Sequence, residues 1–171
     1  MPEMDKLWSP WRSRYIESFK DEPSDSPVSL FTRLLNENND RKNYILYRSV
    51  KSFIIMNLYP YNSGHLMIVP YKQVSELSEL DDETRIDLFN MLELSCNILN
   101  QSLKPHGFNI GVNLGRVSGA GVENHLHFHV VPRWNGDTNF MPVLNDVKVI
   151  SEAMDETYEK LLNALSKCIN S

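Results

Sequence analysis

Thiols, basic charge and long apolar runs are scarce in this chain, and each scarcity excludes a class of protein. Only two of the 171 residues are cysteines, Cys96 and Cys168, and they lie far apart in helix-like stretches. We therefore expect neither a disulfide framework nor a cysteine zinc site. The few, separated thiols also predict a reducing, cytoplasmic setting. Lysine and arginine number 17 against 22 acidic residues, which leaves a net charge of −5. This balance gives no general attraction to nucleic acid or anionic lipid.

No uninterrupted apolar run approaches the roughly 20 residues of a membrane-spanning helix, and the polar N-terminus leads into no apolar signal core. The sequence therefore predicts no membrane association and no targeting segment. With 42% hydrophobic residues, the chain can bury a core as one domain. We divide it into an N-terminal aromatic segment and connector over residues 1–29 and a compact domain over residues 30–171.

Runs of branched and aromatic residues, separated by turn signals, predict five β-strands in the compact domain. The predicted strands cover residues 45–50, 53–56, 65–70, 108–113 and 124–131. A helical pattern lies between the third and fourth strands, and another covers residues 151–168. The expected fold is therefore α+β, with a five-stranded antiparallel sheet, a long helix between strands three and four and a C-terminal helix.

The long helix has clear start and stop signals. Asp81 is the predicted N-cap, and Pro105 and Gly107 mark the end of the helical pattern. Apolar residues recur within it at steps of three and four, which is typical of a face that packs on the core. This predicted core stripe consists of Ile86, Phe89, Leu92, Cys96, Leu99 and Leu103.

Three histidines alternate with apolar residues in the last predicted strand. Because alternate side chains of a strand share a face, His125, His127 and His129 project to one side. The intervening apolar residues project to the other side and can pack on a helix. Three imidazoles on one face are costly to bury without partners, so a purely structural role does not explain the set.

Metal binding is one interpretation of the histidines, because a His-x-His pair can present two imidazoles to one zinc ion. The first and third histidines are about 13 Å apart in a flat strand, whereas zinc–nitrogen bonds are about 2 Å long. All three cannot ligate one ion without a sharp bend, although two could. No carboxylate or cysteine close in sequence completes the ligand set, but a distant residue could.

Nucleophilic catalysis is the interpretation that uses all three histidines. A neutral imidazole attacks phosphorus at neutral pH, and a covalent intermediate divides one difficult displacement into two easier ones. Neighbouring imidazoles can orient the nucleophile and move protons. The glycine-rich stretch at residues 115–121 fits this chemistry, because small residues let backbone N–H groups approach a phosphate.

Residues 125–131 read His-Leu-His-Phe-His-Val-Val, which resembles the motif of the histidine-triad superfamily. Residues 57–65 (Asn-Leu-Tyr-Pro-Tyr-Asn-Ser-Gly-His) are similar to the asparagine-to-Gly-His segment of that family. Longer strings at residues 7–12, 107–115 and 131–140 resemble its bacterial branch, which includes diadenosine tetraphosphate phosphorylases. The resemblance covers nearly the whole chain.

The resemblance implies a two-step transfer at the α-phosphate of a nucleotide, in which His127 attacks phosphorus and is transiently nucleotidylated. His125 and His129 would flank the reacting phosphate, and His65 would support the nucleophile. The family's fold implies a dimer in which the sheets of two subunits adjoin. The residues implied to bind substrate are Asn57 at the ribose and, in the loop at the phosphates, Asn113, Ser118, Gly119 and Gly121.

Some positions depart from the family pattern. Many relatives carry a Cys-x-x-Cys zinc site where residues 26–29 read Ser-Pro-Val-Ser, and a histidine common after the third strand is replaced by Gln73. We therefore expect no metal, with packing in place of zinc. Gly121 stands where many relatives have glutamine, so phosphate contacts would come from the backbone or Ser118. Trp134 is expected either to stack on a base or to cover the domain edge.

The sequence thus predicts a cytoplasmic, homodimeric enzyme that acts on adenine dinucleotide polyphosphates without a cofactor. Phosphorolysis of diadenosine tetraphosphate to ATP and ADP is the preferred reaction, with inorganic phosphate as acceptor. One alternative is a hydrolase of dinucleoside polyphosphates or nucleoside phosphoramidates, with water as acceptor. An alternative from another class is a non-catalytic, nucleotide-binding regulatory protein.

Overall fold

A computed structural model of the protein describes residues 28–137 and 152–170. The predicted aromatic segment, most of the predicted connector and the predicted start of the last helix at Ser151 lie outside the described residues. Within the two described stretches, no helix combines the length and apolar character needed to cross a membrane.

Among residues 28–137 and 152–170, five strands form one sheet, and three α-helices accompany it. The strands are β1 (Ile45–Arg48), β2 (Ser52–Met56), β3 (Leu66–Pro70), β4 (Gly107–Val112) and β5 (Phe128–Arg133). The helices are α1 (Leu30–Asn36), α2 (Asp82–Ser102) and α3 (Met154–Ile169). The strand order is β1-β2-β3-β5-β4, and all neighbours are antiparallel. The predicted α+β fold, with its long helix between strands three and four and its C-terminal helix, is confirmed.

The two faces of the sheet are covered by different helices. Along β2, Ile54 and Met56 belong to the large core cluster to which α2 and α3 contribute. Phe53 and Ile55 point the opposite way, because side chains alternate along a strand, and they share a second cluster with Phe31 of α1. The apolar run of β2 is therefore buried on both sides of the sheet.

The start of α2 agrees with the sequence prediction, but the face that it buries does not. The Asp81 carboxylate caps the helix by accepting a hydrogen bond from the backbone N–H of Thr84 at 2.7 Å. Ile86 and Phe89 were predicted as core, yet they are 63% and 72% exposed. The buried residues of α2 are instead Thr84, Leu88, Met91, Leu92, Ser95, Ile98 and Leu99. The helix is thus rotated about its axis relative to the predicted stripe.

The last strand begins later than predicted, which changes how the histidines are held. The predicted strand covered residues 124–131, but β5 is Phe128–Arg133, so of the three histidines only His129 lies in it. Ahead of the strand, the N–H of Leu126 donates to the carbonyl of Val74 at 2.7 Å, outside the β-ladder. The other four strands begin or end one or two residues from their predicted bounds.

Candidate active site

The triad histidines lie on the face of the sheet that α1 covers. Leu126 and Val130 hold the histidine segment in place from the opposite face of the sheet, where both are buried in the core cluster. The side chains of His125, His127 and His129 are 0%, 5% and 9% exposed. The predicted separation of imidazoles from apolar side chains is therefore correct, although two of the histidines precede the strand.

A hydrogen bond determines which ring nitrogen of His127 is available for chemistry. Its Nδ1 lies 2.9 Å from the backbone carbonyl oxygen of His125. Because a carbonyl only accepts, Nδ1 carries the proton of the neutral ring and the lone pair is on Nε2. Burial lowers the pKa of His127, although its bond to the His125 carbonyl acts in the opposite direction. The neutral form, with its lone pair on Nε2, therefore persists to lower pH than in an exposed histidine.

Both ring nitrogens of His125 are held by hydrogen bonds. Nε2 lies 2.8 Å from the carbonyl oxygen of Pro70, so it donates, and Nδ1 accepts in the neutral ring. The hydroxyl oxygen of Ser29 is 2.5 Å from Nδ1. Burial lowers the pKa of His125; the bond to Pro70 opposes this shift and nearby His127 adds to it. Phe31 contacts both rings, with centroids 5.5 Å from His125 and 5.1 Å from His127.

A row of hydrogen bonds runs from Tyr61 through His65 to His129. The backbone N–H of Tyr61 donates to Nδ1 of His65 at 3.1 Å, so this nitrogen is an acceptor. Nε2 of His65 then carries the proton of the neutral ring and donates to Nδ1 of His129 at 3.0 Å. By the same argument, the proton of neutral His129 is on Nε2. The ring of His129 lies 4.9 Å from the ring of His127, centroid to centroid.

Asn57 lies beside His65. Its amide nitrogen is 3.3 Å from Nδ1 of His65, and its amide oxygen accepts from the backbone N–H of Tyr59 at 2.9 Å. The side chain therefore orients the ring of His65 and holds the following turn. Contact with a ribose, which the family resemblance implies for Asn57, stays a prediction.

The glycine-rich loop follows β4 and contains a short 3-10 helix, Arg116–Ser118. Gly119 ends this turn at φ +88°, a backbone conformation that favours glycine. The Ser118 hydroxyl donates to the carbonyl of Gly115 at 2.6 Å, within the loop itself. In the β4–β5 register Val112 pairs with Phe128. Asn113, the residue that follows β4, is thereby brought to the level of His127.

Trp134 follows β5 and lines a cavity of about 240 Å³. The other residues of this cavity are Asn62, Ser63, Leu103 and Glu152, and none of them is a triad histidine. The cavity thus lies beside the end of α2, whose C-cap is Leu103. Stacking on a base stays a prediction, as do the substrate contacts of Gly119 and Gly121.

Several residues of the site were not identified as such from the sequence. Ser29 and Phe31 flank the start of α1 and contact His125. Tyr61 places its ring 4.8 Å from His65 and 5.8 Å from His129, in addition to its backbone hydrogen bond. Tyr61 lies within the matched segment 57–65, so its proximity to His65 could have been proposed. Ser29 stands at a zinc-ligand position of many relatives, as Gln73 does, but the sequence pattern does not connect it to His125, from which 96 residues separate it.

Zinc does not fit the side chains at the positions where many relatives hold it. The N–H of Ser29 donates to the amide oxygen of Gln73 at 3.0 Å, while its hydroxyl contacts His125. A hydroxyl and an amide oxygen stand where many relatives have a thiolate and a histidine, and the adjacent imidazole of His125 is already bonded at both nitrogens. Among residues 28–137 and 152–170, no group of three histidine, cysteine or acidic side chains is arranged to hold a metal ion.

Comparisons with known proteins agree with this geometry. The model of the HIT domain family matches residues 38–136. A Mycobacterium tuberculosis protein named AP-4-A phosphorylase is 38% identical over 159 residues, which cover 91% of this chain and 81% of that protein. An asymmetrical bis(5′-nucleosyl)-tetraphosphatase of Schizosaccharomyces pombe is 29% identical over 93 residues, or 54% of this chain and 50% of that protein.

A solved structure shows the same fold. It is a zinc-bound histidine triad family protein from Mycobacterium smegmatis, which superposes with a TM-score of 0.68 at 22% identity, over 83% of this chain and 96% of that one. The sheet topology, the buried histidine row and the matched domain agree with one another. The chain therefore belongs to the histidine-triad (HIT) family.

Proposed function

We propose that this protein is an enzyme that transfers a nucleotidyl group from an adenine dinucleotide polyphosphate through a covalent intermediate on His127. Phosphorolysis of diadenosine tetraphosphate to ATP and ADP is the specific reaction that we assign to it. The observation that carries the proposal is the hydrogen bond from Nδ1 of His127 to the His125 carbonyl, which leaves the Nε2 lone pair for attack. The name of the M. tuberculosis relative supports the choice of substrate.

In the first step, Nε2 of His127 forms a bond to the α-phosphorus of the dinucleotide. The bond from that phosphorus to the bridging oxygen breaks, and its electron pair leaves with ATP. The adenylylated ring then carries a positive charge, because Nδ1 keeps its proton. The carbonyl of His125, 2.9 Å from Nδ1, stabilises this charge as it develops.

In the second step, an oxygen of inorganic phosphate attacks the same phosphorus. The nitrogen–phosphorus bond breaks, its electron pair returns to Nε2 of His127, and ADP is released. If water were the acceptor, the product would be AMP and one proton would have to be removed. The two acceptors therefore give different products from the same intermediate.

His129 and His65 support the leaving group in this mechanism. Because His65 donates to Nδ1 of His129, the neutral His129 ring presents its N–H at Nε2. This donor is suited to an oxygen of the departing polyphosphate, on which negative charge accumulates. His65 acts through His129, and Asn57 and Tyr61 fix the ring of His65.

Substrate recognition in this proposal comes from residues around the histidines. Asn57 contacts the ribose, and the Asn113–Gly121 part of the chain contacts the phosphates through its backbone and through Ser118. Gly119 and Gly121 allow a phosphate to approach the main chain closely. Trp134 is assigned to the adenine base.

We also propose that the enzyme is a cytoplasmic homodimer. Both cysteines are free thiols, which fits a reducing compartment. Strand β4 is an edge strand of the sheet, and Ile110 on it is 50% exposed. Pairing of two such edges would satisfy their backbone groups and cover this apolar side chain.

The test is to incubate purified protein with diadenosine tetraphosphate, with and without labelled inorganic phosphate. We expect ATP and ADP only when phosphate is present, with the label in the terminal phosphate of ADP. AMP released without phosphate would instead show the hydrolase alternative, for which the S. pombe relative is the precedent. Binding with no product would show the regulatory alternative. Intact mass after brief mixing should reveal an adenylyl adduct, and its mapping to His127 would identify the nucleophile.

A further inference from the structure

We propose that Ser29 is a positioning residue for the nucleophile, and that its hydrogen bonds to His125 and Gln73 do here the structural work that zinc does in many relatives. The inference rests on the proposed function, since it assigns Ser29 a part in the same reaction. Ser29 is 2% exposed, and its hydroxyl oxygen lies 2.5 Å from Nδ1 of His125.

The direction of this hydrogen bond follows from the other contacts. Nε2 of His125 faces the carbonyl of Pro70, which only accepts, so the proton of the neutral ring is on Nε2. Nδ1 is then an acceptor, and the Ser29 hydroxyl must donate to it. The hydroxyl oxygen in turn accepts from the backbone N–H of Thr32 at 3.2 Å, which makes Ser29 the N-cap of α1. One side chain thus links the start of the helix to the first histidine of the triad.

The effect reaches His127 through the main chain of His125. The carbonyl oxygen that accepts the proton of His127 Nδ1 belongs to the residue whose ring Ser29 fixes. With the Ser29 bond, His125 is held at Nδ1 by α1 and at Nε2 by Pro70 at the end of β3. Its rotation is therefore restricted at both nitrogens, and so is the carbonyl that sets the tautomer of the nucleophile.

Gln73 completes the link. Its amide oxygen accepts from the backbone N–H of Ser29 at 3.0 Å. The adjacent carbonyl of Val74 accepts from the N–H of Leu126, next to His125. Residues 73–74 therefore hold both α1 and the histidine segment, which joins three separate stretches of chain by neutral hydrogen bonds.

The experiment compares Ser29→Gly with Asp81→Gly. Both variants replace an N-cap, and glycine is a tolerated cap, so α1 and α2 should persist. Only Ser29→Gly removes the donor to His125. We expect Ser29→Gly to lower kcat by about tenfold with KM within about twofold, because one buried hydrogen bond is lost. Asp81→Gly should leave both constants unchanged, and Ser29→Thr should retain most of kcat.

A second measurement needs no substrate. Nitrogen-15 spectra of the histidine rings should show, in the wild-type protein, His127 protonated at Nδ1 and His125 protonated at Nε2. Ser29→Gly should shift or broaden the signals of both rings, whereas Asp81→Gly should shift neither. Unchanged signals of His125 and His127 in Ser29→Gly, or unchanged kcat, would overturn the proposal.

The two proposals can fail separately. If the wild-type protein releases no product from diadenosine tetraphosphate but Ser29→Gly changes the signals of the His125 and His127 rings, the proposed reaction is wrong and the positioning role of Ser29 stands. If turnover occurs and Ser29→Gly behaves as Asp81→Gly does, the proposed reaction stands and the positioning role of Ser29 is wrong. Stoichiometric zinc in the purified protein would also overturn the role of Ser29, because the metal would then hold the segments that Ser29, Gln73 and His125 join.

Discussion

The histidine segment and the glycine-rich loop before it are neighbours in sequence, yet they are organised very differently. The rings of residues 125, 127 and 129 are nearly inaccessible and take part in two sets of hydrogen bonds, one around His125 and His127 and the other from His65 to His129. In the loop, Val117 is fully exposed, and within the described part of the chain the Ser118 hydroxyl bonds a carbonyl three residues earlier. The proposed reacting groups are therefore fixed before substrate arrives, whereas the proposed recognition loop is held mainly by its own contacts.

This difference predicts a division of labour. Changes in the histidine segment should alter the rate of the chemical step, because the orientation of the nucleophile is set by protein contacts alone. Changes in the loop should alter the affinity for substrate, because its groups gain partners only when phosphate is bound. Substitutions in the two regions, together with a change of pH, test whether the two regions have these separate roles.

His127→Ala should have the largest effect, abolishing turnover while preserving nucleotide binding. Removal of the nucleophile should lower kcat on the order of 10⁴-fold or more, because no covalent intermediate can form. Steady-state release of ATP and isothermal titration with a non-hydrolysable analogue measure the two properties. His106→Ala is the matched control, since His106 is exposed and its Nδ1 accepts only a backbone N–H, from Asn135. Turnover within a few-fold of wild type in His127→Ala would rule out covalent catalysis.

His129→Asn should lower kcat by about 10²-fold, because a donor to the departing polyphosphate is displaced. The loss should be smaller for a substrate analogue with a better leaving group, since such a group needs less stabilisation. Rapid-quench measurement of adduct formation on both substrates provides the comparison. Equal losses of kcat on the two substrates would show that His129 is needed for the structure of the site and not to stabilise the departing polyphosphate.

Acid should reduce both activity and stability through the buried histidines. Burial lowers the pKa of His125 and His127 below the ordinary histidine value of 6.5. The acid limb of kcat/KM should therefore lie below pH 6.5, because the nucleophile stays neutral there. In the window from 6.5 down to the lowered values, the unfolded chain binds more protons than the folded protein does, so the free energy of unfolding falls as pH falls.

Urea unfolding between pH 5 and pH 8 measures the stability part of this prediction, and a pH profile of kcat/KM measures the other. His127→Ala should show a weaker dependence of stability on pH over the same range. An acid limb above pH 6.5, or stability that rises on acidification, would contradict the burial of neutral rings.

The sequence was sufficient for the fold and for the shared face of the three histidines, because both depend on local patterns. Runs of branched and aromatic residues between turn signals located the strands, and Asp81 located the start of α2. The buried face of α2 could not be predicted in the same way. Leu92 and Leu99 belong to both the predicted and the observed stripe, so the helix has two apolar faces that share residues. Packing against the sheet and α3 selects between them.

The hydrogen bonds that position the histidines were harder to predict, because they join distant parts of the chain. Leu126 bonds to Val74 and not to a ladder partner, which delays the start of β5. Ser29 reaches His125 across 96 residues. A serine before an apolar run predicts a helix cap, and its alignment with a zinc-ligand position of many relatives indicates proximity to Gln73, but neither pattern shows that the same hydroxyl donates to His125.

Ser118→Ala should have a smaller effect than any of the histidine substitutions or the change of pH. Its hydroxyl is exposed and bonds the carbonyl of Gly115 within the same loop, so the free energy of unfolding should change by less than about 0.5 kcal/mol. If the loop binds phosphate through Ser118, KM should rise by about three- to tenfold while kcat stays near the wild-type value. Initial rates over a range of dinucleotide concentrations separate the two constants. A fall in kcat at constant KM would mean that the loop orients the reacting phosphate, and the division between chemistry and recognition would then be wrong.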